Sequence, residues 1–328
     1  MKRTIAIVAG GDSSEHDVSM HSAENILTFL DTERYTPYVV EIRGKEWTVF
    51  YGTEKCAVDK SDFSFETSAG RQTFDFAYIT IHGTPGENGI LQGYFDLIGL
   101  PYSTSDVLVE ALTFNKFALN NFLRAYPQLH LSDSLLVRKG EPLPDDKAVV
   151  ERLGLPCFVK PNAGGSSFGV TKVKTQADLR PAIGKAMAES PEVMIEKMMQ
   201  GTEITCGCFK RGDEIVVLPI TEVVTTEEFF DYDAKYNGKV SEITPARIAP
   251  ATAARVSDMT RDIYRILGCY GIIRVDYILS GTAGDEQINL LEINTTPGMT
   301  ATSFIPQQVR AAGLNMADVL TDIIEGKF

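Results

Sequence analysis

Two alternating runs near the C-terminus, GIIRVDYIL from Gly271 and INLLEIN from Ile288, are separated only by SGTAGDEQ, and together they read as a β-hairpin. Side chains alternate faces along a strand, so residues two apart share a face. Ile273, Val275 and Tyr277 in the first run, with Leu291 and Ile293 in the second, then form a plain core face. The opposite face gathers Arg274, Asp276, Glu292 and Asn294. A solvated face with cross-strand charge pairs is the ordinary reading of such residues. Two carboxylates and an amide converging on one spot suggest a cation instead, because nearby like charges repel unless they are neutralised. Oxygen-only donors suit Mg2+, which keeps waters and shares its shell with phosphates.

The chain of 328 residues is long enough for two or three domains, each with its own core. A net charge of −13 argues against a nucleic-acid partner, since no basic stripe is available to displace counterions. A phosphate ligand needs only a few local cations and stays open. The apolar part of MKRTIAIVAGG is too short for a signal segment and reads as a first strand. No run approaches the length needed to span a bilayer, so no membrane partner is expected. Five cysteines without zinc spacing, Cys206 and Cys208 of ITCGCF among them, fit a reducing cytoplasm.

Three units are expected. Residues 1–103 alternate strand and helix signals: TIAIVAG, helical VSMHSAENILTFL, then YTPYVVEI, EWTVFYG and FDFAYITIHG. This is the pattern of an open α/β, Rossmann-like domain, whose ligands sit beyond the carboxyl ends of parallel strands. GGDSSEH and HGTPGENG fall at such ends. Residues 104–194 begin with a helix or helix pair, TSDVLVEALTFNKFALNNFLRAY, followed by strands around SDSLLVRKG, PCFVKP and GVTKVKT. Thr175, with Asp178 three residues on, starts a helix that ends before Pro191. Residues 195–328 are strand-rich, and EVMIEKM is read with them. TEITCGCFKRG and EIVVLPITEV follow, then the polar connection FFDYDAKYNGKVSEITPARI, a long helix, the hairpin and a helical tail.

In FVKPNAGGSSFGVTKV, Lys160 ends a strand just before a Gly-Ser loop, Gly164 to Gly169. Glycines let backbone N–H groups approach phosphate oxygens, and Ser166 and Ser167 add hydroxyl donors. The loop is not a Walker A motif, because it has no G-K-[ST] and a strand follows it. Alone it reads as a hairpin turn; with the acidic hairpin face it points to a nucleotide. Lys116, Glu196 and Glu203 read locally as surface charges, Glu15 as a helix-start acid, and His82 and Tyr236 as loop residues.

GGDSSEHDVSMHSA, HGTPGENGILQGYFDLIGLPY, VKPNAGGSSFGV, DYDAKY and LLEINTTPGMTATS occur in order across nearly the whole chain. Together they closely resemble the D-alanine–D-alanine ligase family, of the ATP-grasp fold. The resemblance implies ATP held between two α+β units behind an N-terminal substrate-binding domain, with the activity, ligands and roles that follow. Two D-alanine molecules would be joined through an acyl phosphate, for peptidoglycan synthesis in the cytoplasm, by a homodimer. Lys116 and Lys160 would contact the phosphates under the Ser166–Ser167 loop. Glu196, Lys197 and Met199 would lie along the adenine, and Glu203 would take the ribose hydroxyls. Asp276, Glu292 and Asn294 would hold two Mg2+ ions, with Mn2+ able to substitute. Arg274 and the Gly298 N–H would form an oxyanion hole. Glu15 and His82 would bind the first D-alanine, and Lys235 and Ser303 the carboxylate of the second. Tyr236 would join a Glu15–Ser166–Tyr236 cluster.

Three departures from the family pattern stand out: Asn88 in GENG, Ala163–Gly164 before the serine pair, and Met198 beside the adenine. The competing readings are a ligase making D-alanyl-D-lactate or using another D-amino acid, and a nucleotide-binding regulator without turnover. Tyr236 favours the dipeptide, and the intact Asp276, Glu292 and Asn294 set disfavours the regulator.

Overall fold

The computed structural model describes residues 2–165, 168–225 and 240–328. The chain opens with β1 (Arg3–Gly10), α1 (His16–Phe29) and β2 (Tyr35–Arg43), and β1 and β2 pair in parallel along their whole length. A meander then runs outward through β3 (Glu46–Tyr51), β4 (Glu54–Asp59), β5 (Ser64–Thr67) and β6 (Gly70–Gln72). β7 (Phe76–Ile79) returns to the far side of β1, in parallel with it. The order β6-β5-β4-β3-β2-β1-β7 therefore joins three parallel strands at one end of the sheet to an antiparallel meander. β1 lies between β2 and β7 and is covered on both faces, which is why IAIVAG is apolar without alternation. Ile5 and Ile7 face the α1 side, while Ala6 and Val8 pack with Leu91 and Phe95 of α2 (Ile90–Ile98).

The expected helix pair is α3 (Val107–Phe114) and α4 (Lys116–Leu123). Asp106 and Asn115 cap them, accepting from Val109 N at 3.0 Å and Ala118 N at 2.9 Å. β8 (His130–Leu131), β9 (Ser134–Arg138), α5 (Asp146–Leu153), β10 (Cys157–Pro161) and β11 (Thr171–Val173) follow. Thr175 N and Oγ1 both donate to Asp178 Oδ2, so the expected capping pair forms. It opens a 3-10 turn at Gln176–Asp178 that leads into α6 (Leu179–Glu189) and then β12 (Glu192–Lys197). The four-stranded antiparallel sheet is ordered β11-β10-β12-β9.

Packing departs here from the expected boundaries. β12 lies between β10 and β9, so EVMIEKM belongs to the middle layer, and that layer runs on to Lys197, past the boundary placed at 194/195. Conversely, Val109, Leu119 and Leu123 of α3 and α4 pack into the core of the C-terminal sheet. Hydrogen-bond register and shared core, not position in the chain, decide which layer a segment joins.

The C-terminal sheet comprises β13 (Thr202–Arg211), β14 (Glu214–Val217), β15 (Thr221–Thr225), β16 (Val240–Ile243), β17 (Ile273–Ser280) and β18 (Gln287–Asn294), with β8 added. Its order is β16-β15-β13-β17-β18-β8, and β14 pairs with β13. β16 comes from a stretch expected to be only a polar connection. The long helix α7 (Pro250–Leu267) begins with proline in its first turn and covers this sheet through Val256, Ile263 and Tyr264. The helical tail divides into α8 (Phe304–Ala311) and α9 (Met316–Glu325).

α8 and α9 fuse the two ends of the chain. Ile305, Val309, Val319 and Leu320 share one core with Ile5, Ile7 and Ile26 from the N-terminus and Phe209 from β13. Each such fully buried aliphatic side chain contributes about 1.5–3 kcal/mol. Polar ties reinforce the junction, with Tyr35 Oη donating to Glu325 at 2.8 Å and Tyr270 Oη to Ile323 O at 2.6 Å.

Candidate active site

The hairpin pairs as expected on its polar face: Arg274 lies opposite Asn294, and Asp276 opposite Glu292. Its apolar face differs at one residue. The register slips between Asp276 and Tyr277, so Tyr277 faces Leu290 and Leu291 becomes the extra residue of a β-bulge. Leu290 enters the core, whereas Leu291, expected there, turns beside Glu292 into the cavity described next.

That cavity, about 470 Å³, is lined by both the four-stranded layer and the C-terminal sheet. Lys116, Lys160, Glu196, Lys197, Met199, Glu203, Arg274, Asp276 and Glu292 all line it. Phe158, Val170, Met198, Met199, Ile278 and Leu291 supply its apolar surface. An apolar slot beside cations and carboxylates suits a flat base carrying a charged tail.

Electrostatic pairing inside the cavity is close. Arg274 donates through Nε and Nη2 to the two oxygens of Asp276, at 2.9 Å each, and the Thr205 hydroxyl donates to Asp276 as well. Burial works against the Arg274 charge, but Asp276, with Glu292 and Glu87 nearby, raises its pKa further above its usual range. Lys116 Nζ donates to Gly164 O at 2.9 Å and stands 3.7 Å from Glu292 Oε2. Across the cavity, Lys160 Nζ meets Glu196 Oε2 at 2.7 Å, both nearly buried.

Among the described residues, no three His, Cys, Asp or Glu side chains gather as a metal cluster. The donors on the hairpin are two carboxylates and the Asn294 amide. This all-oxygen set fits a hard divalent ion that completes its shell with water and phosphate.

The residues expected at the amino-acid substrates lie on the N-terminal loops and after β18. Glu15 precedes α1, and a Cβ on Gly165 would fall 2.5 Å from Glu15 Oε2. Only glycine lets the Gly-Ser loop come that close to this carboxylate. Ser13 ties the Glu15 loop to the His82 loop, donating to His82 O at 2.9 Å and accepting from Glu15 N at 3.2 Å. Gly298 packs against Ser303, and a Cβ there would sit 3.0 Å from Ser303 Oγ. Ser303 Oγ in turn accepts from Thr300 N at 3.1 Å. Ser166, Ser167, Lys235 and Tyr236 lie outside the described residues. Of the family departures, Asn88 donates to Thr84 Oγ1 at 3.0 Å, Ala163 bridges to Asn115, and Met198 lines the cavity.

Sequence reasoning missed Glu87. It is buried in the HGTPGENG loop and accepts from Gly83 N at 2.6 Å. Burial first, then the charge of Glu15, push it up to about 7. An acid inside a glycine-rich loop at a strand end was the available signal. Thr205 and Phe304 carried no such signal. Thr205 reaches Asp276 only through the β13–β17 register, and Phe304 meets Arg274, whose guanidinium lies 5.3 Å from the ring centroid, only through the placement of α8.

Two family models match the chain. Residues 4–105 match the family described as D-ala D-ala ligase N-terminus, and residues 132–325 match D-ala D-ala ligase C-terminus. A D-alanine--D-alanine ligase of Phocaeicola vulgatus is 63% identical over 329 aligned positions, covering 100% of both chains. Among solved structures, the VanG D-Ala:D-Ser ligase from Enterococcus faecalis superposes with a TM-score of 0.85 at 28% identity, covering 100% of both chains. A D-alanine--D-alanine ligase from Bacillus anthracis complexed with ATP gives a TM-score of 0.78 at 28% identity, covering 99% of this chain and 97% of its own.

Proposed function

The chain belongs to the D-alanine–D-alanine ligase family, and from that premise we propose how its residues divide the reaction. The protein is an ATP-grasp enzyme that ligates two D-alanine molecules, with ATP, into the dipeptide used in cell-wall synthesis.

In the proposed assignment the apolar slot takes the adenine, with Glu196, Lys197 and Met199 along it and Glu203 at the ribose. Lys116 and Lys160 take phosphate oxygens, each exchanging a carboxylate partner for the nucleotide. Asp276, Glu292 and Asn294 hold two Mg2+ ions, for which Mn2+ can substitute. When bound, the ions offset repulsion between the phosphates and an incoming carboxylate.

Glu15 faces the ammonium of the first D-alanine and His82 its carboxylate. That carboxylate attacks the γ-phosphorus and ADP leaves, giving an acyl phosphate. The amine of the second D-alanine, whose carboxylate is held by Ser303 and Lys235, then attacks the acyl carbon. Phosphate departs, carrying the bridging oxygen. Arg274 and the Gly298 N–H stabilise the tetrahedral oxyanion between these events, and losing one such donor costs about 3–4 kcal/mol of barrier. Ser166 and Ser167 serve the phosphates in this assignment, and Tyr236 joins Glu15 and Ser166 in a catalytic cluster. A homodimer in the cytoplasm belongs to the same proposal; the five buried, unpaired cysteines support a reducing compartment, and the dimer follows from the family alone.

One observation carries the assignment: Asp276 faces Glu292 on the wall of a cavity that Lys160 also lines. Phosphate release from ATP should be strictly dependent on D-alanine, absent with L-alanine or with no amino acid, and matched by D-alanyl-D-alanine. The likeness to a D-Ala:D-Ser ligase makes the acceptor the point to check. A dominant D-serine or D-lactate product in competition would transfer the assignment to that acceptor. Release independent of any amino acid would remove the ligase reading.

A further inference from the structure

Glu110 lies in the first turn of α3 and has no exposed surface. Its Oε1 accepts from Ser105 N at 3.1 Å, and its Oε2 accepts from Thr295 Oγ1 at 2.6 Å. The two partners come from different segments of the chain. Ser105 belongs to the connection between the N-terminal unit and α3, and its hydroxyl bonds both Tyr270 N and Tyr270 O. Thr295 directly follows Asn294 and stands three residues before Gly298. The next residue, Thr296, donates through its hydroxyl to Ile81 O of the N-terminal unit at 3.4 Å. The TTPG turn thus hangs by two consecutive hydroxyls, one on the buried Glu110 carboxylate and one on the Ile81 carbonyl, contributed by different segments.

A carboxylate without exposed surface is costly to bury and is tolerated only when hydrogen-bonded. An apolar side chain would fill the same space beside Val109 at lower cost. What the carboxylate adds is direction, fixing the Thr295 hydroxyl and with it the start of the turn. We infer that Glu110 is a positioning residue for the ligation: through Thr295 it sets the Asn294–Gly298 turn, which carries the metal-binding amide and the oxyanion N–H. The inference rests on the roles proposed above for Asn294 and Gly298. Glu110 touches neither substrate nor nucleotide, and its effect passes entirely through the backbone of the turn. An oxyanion donor displaced by a fraction of an ångström loses much of its worth, because preorganised geometry is what it supplies.

Burial, with the charge of Glu87 also raising it, pushes Glu110 well above the ordinary carboxylate range. Glutamine, shaped like the protonated acid, is therefore the conservative replacement. Its amide oxygen can accept from Ser105 N while its NH2 group donates to Thr295 Oγ1.

The test is steady-state kinetics of full-length variants with ATP and D-alanine. Glu110→Ala and Thr295→Val should each lower kcat by about 10- to 100-fold while both KM values stay within about 3-fold. Glu110→Gln and Thr295→Ser should stay within about 3-fold of the parent kcat. Combining Glu110→Ala with Thr295→Val should give no greater loss than either change alone, since both remove the same link. If Glu110→Ala does not fold, the contrast between the nearly isosteric Thr295→Val and Thr295→Ser decides the matter. Parent-like kcat in Thr295→Val, or losses that multiply in the double variant, would overturn the inference. Glu292→Gln separates the two layers of the argument. If it is inactive while Thr295→Val is normal, only the role of Glu110 falls; if Glu292→Gln is fully active, the reading of the site itself falls.

Discussion

The middle layer and the fused body around it are held together in different ways. The four-stranded sheet keeps a core of its own, with Val137, Val159, Ile183, Val193 and Ile195 packed among residues of the same segment. The N-terminal sheet and the C-terminal unit instead share one core through α8 and α9. What ties the layer to α4 is polar: Lys116 N donates to Asn162 O at 3.1 Å, Phe117 N to Asn162 Oδ1 at 2.8 Å, and Asn120 Nδ2 reaches Glu196 at 3.5 Å. A unit with a private core and polar attachments can open without unfolding the rest. Of the groups assigned to the amino acids and the oxyanion, those among the described residues (Glu15, His82, Arg274, Gly298 and Ser303) stand on the body. The nucleotide contacts Lys160, Glu196 and Lys197 stand on the layer.

The largest effect should come from the body. Glu292→Gln should cut turnover by ~1,000-fold or more, about 4 kcal/mol, with an unchanged thermal midpoint. A comparable loss of stability would mean that Glu292 is structural, and the contrast would lose its catalytic half. Next comes the layer. Lys160→Met leaves the Glu196 carboxylate buried without its cation and should destabilise the layer by about 3–4 kcal/mol. Hydrogen exchange should then rise across β9–β12 and stay unchanged in β1 and β17. Exchange rising equally in all of them would show one cooperative unit.

Acidity supplies a third test, of the body. Glu87 carries a folded pKa raised from its ordinary 4.5 to about 7, so between those values the native state holds a proton that the unfolded chain has released. Stability is therefore fully present below 4.5 and falls as pH rises, by about 1.4 kcal/mol per unit and about 3 kcal/mol in all. The charges of Glu15 and Lys116 act on Glu87, and Arg274 and the buried Glu110 lie in the same field; these groups remain when Glu87→Gln removes this slope. Urea midpoints measured from pH 4.5 to 8 check it, and a slope unchanged in Glu87→Gln would assign the pH dependence elsewhere. The smallest effect is ligand protection. ATP with Mg2+ at ~100 times its dissociation constant should slow exchange of the layer by about 2–3 kcal/mol and leave β1 nearly untouched.

Much of this division was legible in the residues, for identifiable reasons. Alternation along β17 and β18 placed Arg274, Asp276, Glu292 and Asn294 on one face, because a strand's side-chain period is fixed by its backbone. The same rule failed at Leu291, where a bulge inserts a residue that no local pattern announces. β12 was read with the wrong layer, since a strand's sequence does not say which neighbours it will pair with. β4, β5 and β6 were passed over because EKCAVD, SFET and GRQ are short and mostly polar. Glu87 and Glu110 escaped notice because isolated acids read as surface until tertiary packing buries them. The residues assigned to the nucleotide came chiefly from the family resemblance, and the cavity then brought Lys116, Glu196 and Glu203 together from distant segments.

The most direct test of the chemistry follows one oxygen atom. D-alanine labelled with 18O in both carboxylate oxygens is supplied with ATP, and the released phosphate is analysed by mass. If the first D-alanine is activated as an acyl phosphate, each phosphate formed per dipeptide carries one 18O from the substrate. Phosphate without label, released in step with dipeptide, would contradict the proposed order of attack.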